Sequence, residues 1–211
     1  MNKPGFLSRR ARAAGALCFA ALLATPAHAL LVDTGPGPNG GGASLYDDRP
    51  ETESFQSLAA RFSVTAADTV TSVQGWLNWY YGGGLTLSIH EEFQGLPGAT
   101  LHTVTVTPLS TGLNEAAWRG ASGLNWQLTT GDYWLVFEDV ADSLGSGSMP
   151  GPVGSPLAGY ASGNELKGWS RADTLALGVR INAIPEPTSV ALMLGGLVLV
   201  GTAVRRRAVA G

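Results

Sequence analysis

The chain has 211 residues, 45% of them hydrophobic, and a formal net charge of −3. All 16 acidic residues but only six of the 13 basic residues lie within 30–187, so this part carries a formal charge of about −10. Nucleic acids and anionic lipid surfaces require basic patches, and we therefore exclude both as partners of this part. The balance suits a protein outside the cell, or a binder of neutral sugars or calcium.

Residues 1–29 have the pattern of a secretory signal peptide. Lys3 and three arginines precede an apolar stretch over 13–24, and Ala27 and Ala29 frame a small-x-small cleavage site. The mature chain is then expected to begin at Leu30. Cys18 is the only cysteine and leaves with the signal peptide, so the mature protein has no disulfide and depends on its core for stability.

The last 27 residues combine three signals in order. Pro185, Glu186 and Pro187 come first, a charge-free apolar run over 188–204 follows, and Arg205, Arg206 and Arg207 close the segment. The run predicts a transmembrane helix about 25 Å long. The arginines indicate its cytoplasmic end, which places residues 30–187 on the other side of the membrane.

This order resembles the PEP-CTERM sorting signal of Gram-negative bacteria, and the resemblance covers residues 183–211. It implies that an exosortase, a membrane-embedded processing enzyme, recognises Pro185, Glu186 and Pro187. It also implies an inner-membrane intermediate whose tail is removed, followed by release or transfer to the cell surface. Proteins with this signal often accompany exopolysaccharide production.

Residues 55–182 predict a single all-β sandwich, because short alternating apolar segments are separated by Gly, Pro, Asn and Asp. The predicted strands are 57–64, 69–81, 85–91, 101–106, 125–128, 132–139 and 174–182. Both faces of 133–137 are apolar, which indicates a central strand covered on both sides. Residues 30–54 predict a flexible Gly/Pro-rich lead-in and first loop, 82–84 a hairpin-like connection, and 143–156 a long surface loop.

Several segments of this region also resemble the choice-of-anchor domains, a group of anchored β-sandwiches. The matching segments are Phe55-Gln56-Ser57, Arg61-Phe62, Val70-Thr71-Ser72-Val73, Leu85-Thr86-Leu87-Ser88-Ile89, Gln94-Gly95-Leu96-Pro97-Gly98 and Gly131-Asp132-Tyr133-Trp134-Leu135-Val136. The resemblance implies a jelly-roll-like fold without known catalysis.

One strand suggests a binding surface. By alternation Trp76 and Tyr80 share a face with Gln74 and Asn78, and aromatic rings beside amides suit the stacking of a sugar. The alternative is that both aromatic residues are half-buried packing residues.

The sequence indicates no cofactor, no metal site and no catalytic residue. Acidic pairs such as Glu91 with Glu92 lack the spacing of known calcium loops, and His90 and His102 match no zinc motif. His90 is expected to be exposed on its strand, and His102 to lie at a strand edge. We expect a non-enzymatic surface or matrix protein; a carbohydrate-binding module is the alternative. A glycan-active hydrolase using a carboxylate pair such as Glu91 with Glu138 is a distant third.

Overall fold

The computed structural model describes residues 29–48, 54–80, 83–107, 115–140, 146–152, 154, 157–164, 167–185 and 196. These residues form twelve strands: β1 (Ala29–Asp33), β2 (Ala43–Asp48), β3 (Ser54–Val64), β4 (Asp68–Trp79), β5 (Leu85–Phe93), β6 (Leu96–Val106), β7 (Ala117–Leu128), β8 (Gly131–Asp139), β9 (Ser146–Met149), β10 (Gly159–Asn164), β11 (Gly168–Arg171) and β12 (Val179–Pro185). Within these ranges no helix has the length and hydrophobicity needed to cross a bilayer.

The strands form two antiparallel sheets that are joined along one side. The first sheet has the order β1-β12-β4-β7, and the second has the order β11-β10-β3-β8-β5-β6. β2 and β9 pair with each other and connect the first residues of β3 to the last residues of β4. On the opposite side, His102 of β6 stacks on Trp126 of β7 with ring centroids 5.3 Å apart. The expected all-β sandwich is confirmed.

The main core lies between the facing sides of the two sheets. Alternation along β3 and β4 buries Leu58, Phe62, Val73 and Leu77 in this core. A Cβ atom at Gly75 would lie 2.7 Å from the ring of Phe137, so the missing side chain makes room for that ring between the sheets.

β8 is the central strand of the second sheet, because it pairs with β3 on one side and β5 on the other. Leu135 points into the main core, whereas Trp134 and Val136 point outward and are nevertheless buried. A second, smaller cluster covers them, with Ala161 from β10 and Trp169 from β11 among its members. The predicted double coverage of 133–137 is therefore confirmed.

Four predicted strands agree closely with the observed β3, β4, β5 and β8. Three others differ in extent: β6 begins at Leu96 and β7 at Ala117, both earlier than predicted, and β12 runs later, from Val179 to Pro185. β6 begins directly after the turn, with Leu96 opposite Phe93 and Pro97 opposite Glu92. Residues 174–178 precede β12 instead of belonging to it.

The prediction of a flexible lead-in over 30–54 is wrong for the residues that the structure describes there. β1 pairs with β12, and β2 pairs with β3 and β9. Thr34 and Val179 exchange two hydrogen bonds: Thr34 N donates to Val179 O at 3.0 Å, and Val179 N donates to Thr34 Oγ1 at 2.8 Å. A Cβ atom at Gly42 would lie 2.5 Å from the backbone of Met149, so the end of this loop also packs tightly.

Two further expectations need correction. The predicted surface loop over 143–156 contains β9, where Gly147, Ser148 and Met149 are buried. The predicted hairpin at 82–84 is wrong because β4 and β5 belong to different sheets and do not pair. The segment between them crosses from the first sheet to the second.

One end of the sandwich is where the chain leaves its last strand, and we call it the exit end. Pro185 lies opposite Asp68, and Asp68 lies opposite Leu128. The second sheet reaches the same level at Val64 and Gly131, which are opposite each other. Residues 65–67 and 129–130 connect the two sheets there as short turns. The turn between β5 and β6 also lies at this end, because Glu91 pairs with Tyr133, near the start of β8.

Candidate functional site

Trp76 lies half-buried on the outer face of the first sheet. It is in register with Trp118 of β7, and the two rings meet edge to face, with centroids 5.5 Å apart and planes at 65°. Its indole Nε1 donates a hydrogen bond to Pro38 O at 3.2 Å. The ring is therefore held in place by a neighbouring strand and by the loop over 34–42.

Arg180 completes this surface from the other side of β4. Its guanidinium carbon lies 4.2 Å from the centroid of the Trp118 ring, a cation–π contact. Asp33 of β1 forms a salt bridge with Arg180 at 3.2 Å and so helps to orient it. We call Trp76, Trp118 and Arg180 the aromatic patch. Two flat rings and a cation at a half-exposed surface can stack on the apolar face of a sugar and donate to its hydroxyls.

Tyr80 has a different role from the one that alternation suggests. Its hydroxyl lies 3.0 Å from Ser148 Oγ and accepts a hydrogen bond from Asn78 Nδ2 at 3.3 Å. Asn78 is fully buried, and its Nδ2 also donates to Asn39 O at 3.3 Å. Asn78 and Tyr80 thus fasten β9 and the loop over 34–42 onto β4.

The sequence analysis found Trp76 but missed Trp118 and Arg180. Pairing between strands brings these two residues to Trp76, and a single sequence does not show that pairing. The predicted strand 125–128 also left Trp118 outside any strand. The useful signal was composition, since all six tryptophans follow the signal peptide.

The structure places His90 and Ser88 inside the second sheet. His90 is 8% exposed and not on the surface as predicted, and Ser88 is 2% exposed. Ser88 Oγ lies 2.9 Å from His90 Nε2, and His90 Nδ1 lies 2.9 Å from Gly98 O. With Nδ1–H donating to that carbonyl, Nε2 accepts from the serine hydroxyl. The arrangement satisfies buried polar groups in the way that sheet interiors require.

Glu91 and Glu138 lie apart. Glu91 is opposite Tyr133, and Glu138 is opposite Thr86, at the far end of the same ladder. Five residues of strand separate the two levels, about 16 Å. Carboxyl pairs that hydrolyse glycosides lie about 5–10 Å apart, so this pair does not have the geometry.

Acidic residues that the structure describes make contacts with other groups of the sandwich. Glu92 Oε1 accepts a hydrogen bond from Gly95 N, and Glu92 Oε2 lies 3.9 Å from Arg61 Nη2. Asp132 forms a salt bridge with the same arginine nitrogen at 2.8 Å. In the part of the chain that the structure describes, no three His, Cys, Asp or Glu side chains are grouped to hold a metal ion.

A small cavity of about 40 Å³ lies on the outer face of the second sheet, lined by Arg61, Trp134 and Arg171 among others. The buried Nε1 of Trp134 and the buried Nε of Arg61 have no hydrogen-bond partner among the described residues. The cavity therefore offers donors to a small acceptor such as a water or a carboxylate oxygen. A more open groove of about 390 Å³ adjoins Arg61 on its other side, along β1.

The sorting residues lie at the boundary of the described chain. Pro185 is the last residue of β12 and lies opposite Asp68, and Ala29 begins β1 opposite Ala183. The other predicted residues of the sorting and cleavage signals fall outside the described residues: Ala27, Glu186, Pro187, Arg205, Arg206 and Arg207. The predicted helix over 188–204 is outside them as well, except Gly196.

A family model described as the PEP-CTERM protein-sorting motif matches residues 183–207. The matched range contains the Pro-Glu-Pro sequence, the apolar run and the three arginines, so the predicted sorting motif is confirmed. It begins inside β12, and the motif is therefore directly continuous with the sandwich. No curated protein matches the chain. The resemblance to choice-of-anchor domains stays a prediction.

Proposed function

We propose that this protein is a non-enzymatic component of the cell surface or extracellular matrix, sorted by an exosortase-type enzyme and associated with exopolysaccharide. The observation that carries the proposal is the PEP-CTERM motif over 183–207, which supports an exported protein that such an enzyme processes. The acidic charge of 30–187 and the cysteine-free mature sequence suit a protein that works outside the cell.

The proposed route has three steps. The signal peptide over 1–29 directs export and is removed after Ala29. The helix over 188–204 then holds the sandwich on the outer side of the inner membrane, with Arg205, Arg206 and Arg207 inside. Finally the exosortase-type enzyme reads Pro185-Glu186-Pro187 and releases the sandwich from its helix.

Replacing Glu186 tests this route. Glu186→Ala removes the charged group of the motif, so we expect a full-length, membrane-retained species in place of the processed protein. Mass spectrometry of both fractions measures the outcome, and Glu115→Ala, at an exposed position outside the motif, serves as the matched control. If mature surface protein still carries Arg205, Arg206 and Arg207, the tail is an uncleaved membrane anchor and the proposed processing is wrong.

The aromatic patch favours carbohydrate binding as a second candidate function. We infer that Trp76 provides the stacking ring, with Trp118 and Arg180 beside it, whereas Tyr80 contributes by holding β9 and the loop over 34–42 in place. The ligand class is a neutral polysaccharide, because the sandwich as a whole is acidic.

A pull-down with neutral polysaccharides tests the patch. Trp76→Ala should weaken retention severalfold, because stacking requires the ring. Trp169→Ala, a partly buried tryptophan on the other sheet, is the matched control and should leave retention unchanged. If neutral polysaccharides do not retain the unaltered protein, the carbohydrate-binding proposal is wrong and Trp76 is a packing residue.

A further inference from the structure

Phe93 is the one large hydrophobic side chain at the exit end that is exposed among the described residues; two others lie farther along their strands. Phe93 is 63% exposed at the turn between β5 and β6, and Leu30 is 54% exposed on β1, opposite Asn182. The third, Leu101, is 40% exposed along β6. An aromatic side chain exposed at the tip of a turn can enter an apolar environment without any change in the fold.

The turn that presents Phe93 is tightly constrained. Gln94 and Gly95 have φ angles of 53° and 81°, the left-handed pair that a two-residue hairpin turn requires. Glu92 Oε1 accepts a hydrogen bond from Gly95 N and fixes the turn further. Phe93 is therefore held at the tip of the hairpin and does not fold back onto the sheet.

The connection between β12 and the predicted membrane helix is short, and it restricts how far the exit end can lie from the membrane. β12 ends at Pro185, and the predicted membrane helix begins at residue 188. Three residues span at most about 11 Å, so the exit end cannot lie far from the membrane surface while the tail is attached.

We propose that the exit end rests on the outer surface of the inner membrane before processing, with Phe93 in the lipid interface. This inference rests on the proposed function, since it requires the anchored intermediate. Pro185 belongs to the first sheet and Phe93 to the second, so the tether and the ring hold both sheets at the membrane. This position presents Pro185-Glu186-Pro187 at the lipid surface.

The charged residues at the exit end determine which type of lipid it can contact. Four acidic residues, Asp68, Glu91, Glu92 and Asp132, lie near it, against the two arginines Arg61 and Arg171. Arg61 forms ion pairs with Glu92 and Asp132. This acidic excess repels an anionic surface. The contact is therefore expected on zwitterionic lipid, and it depends on the apolar ring of Phe93 and not on charge attraction.

Site-directed labelling of the full anchored chain tests the inference. Glu186→Ala retains the tail, and the protein has no cysteine once the signal peptide is removed, so a single fluorescent label is placed at Phe93→Cys or Thr107→Cys. Thr107 is exposed next to Val106, which pairs with Leu85 at the opposite end of β5, about 26 Å from Phe93. Both proteins are reconstituted into phosphatidylcholine vesicles with brominated acyl chains, which quench fluorophores in contact with lipid.

We expect severalfold stronger quenching of the label at position 93 than at position 107. Equal quenching in a protein that floats with the vesicles overturns the inference and leaves the anchored intermediate intact. A protein that does not float with the vesicles overturns both the inference and the membrane step of the proposed function. Flotation and quenching therefore distinguish the two failures.

Discussion

Trp134 shows how burial at a single residue separates a structural tryptophan from a surface one. It is 1% exposed although it points away from the main core, because β10 and β11 cover it. Trp134→Ala should lower the free energy of unfolding by about 3–5 kcal/mol, since it removes a large side chain from a packed cluster. Urea denaturation measures the loss, and Thr107→Ala, at an exposed site, should change stability by less than about 0.5 kcal/mol. A loss below about 1 kcal/mol for Trp134→Ala would contradict the observed coverage.

At the residue scale, the sequence predicted which face of the sheet a side chain occupies better than it predicted how exposed that side chain is. Alternation correctly put Trp76 and Asn78 on one face of β4, and Tyr80, directly after the strand, bonds to Asn78 on that side. It did not show that Asn78 would be buried or that Tyr80 would bond to Ser148, because those contacts come from β9 and from the loop over 34–42. The candidate site was therefore half predicted: the ring of Trp76 was found, and its neighbours from β7 and β12 were not.

At the scale of the elements, two of the strands that the sequence missed, β1 and β9, share one physical cause. β9 is the four-residue segment Ser146–Met149, and β1 precedes a run rich in Gly and Pro, so neither gives a long alternating pattern. Their conformation is set by pairing with partners far along the chain, β2 and β4 for β9 and β12 for β1. The longer strands β3, β4, β5 and β8 could be predicted because burial on at least one face leaves its pattern in their own residues.

A substitution at Thr34 tests whether β1 and the loop that follows it contribute to the stability of the fold. Thr34→Val keeps the shape of the side chain but removes Oγ1, the acceptor for the buried N–H of Val179. We expect a loss of about 1–3 kcal/mol in the free energy of unfolding, the usual cost of leaving a buried donor unsatisfied. Thr107→Val is the matched control at an exposed position, and equal melting curves for the two variants would mean that β1 and its loop add little to stability.

At the scale of the whole molecule, the strand next to the sorting motif is also a central strand. β12 lies between β1 and β4 in the first sheet and contributes Val179 and Ile181 to the main core. A sheet that loses an inner strand loses two ladders of hydrogen bonds and the burial of that strand together. The domain therefore needs residues up to Pro185, beyond the predicted limit at 182, and it begins in β1, before the predicted limit at 55.

This arrangement predicts a sharp length threshold for folding. A fragment over 30–187 should be soluble, give a β-dominated circular dichroism spectrum and unfold identically with or without reductant, because Cys18 lies outside it. A fragment over 30–178 lacks β12 and should not fold, since the lost burial and pairing exceed the roughly 5–15 kcal/mol by which a domain is stable. Cooperative unfolding of the shorter fragment would contradict the central position of β12. The sandwich is therefore expected to complete its fold only when β12, whose last residue is the first proline of the sorting motif, has been exported.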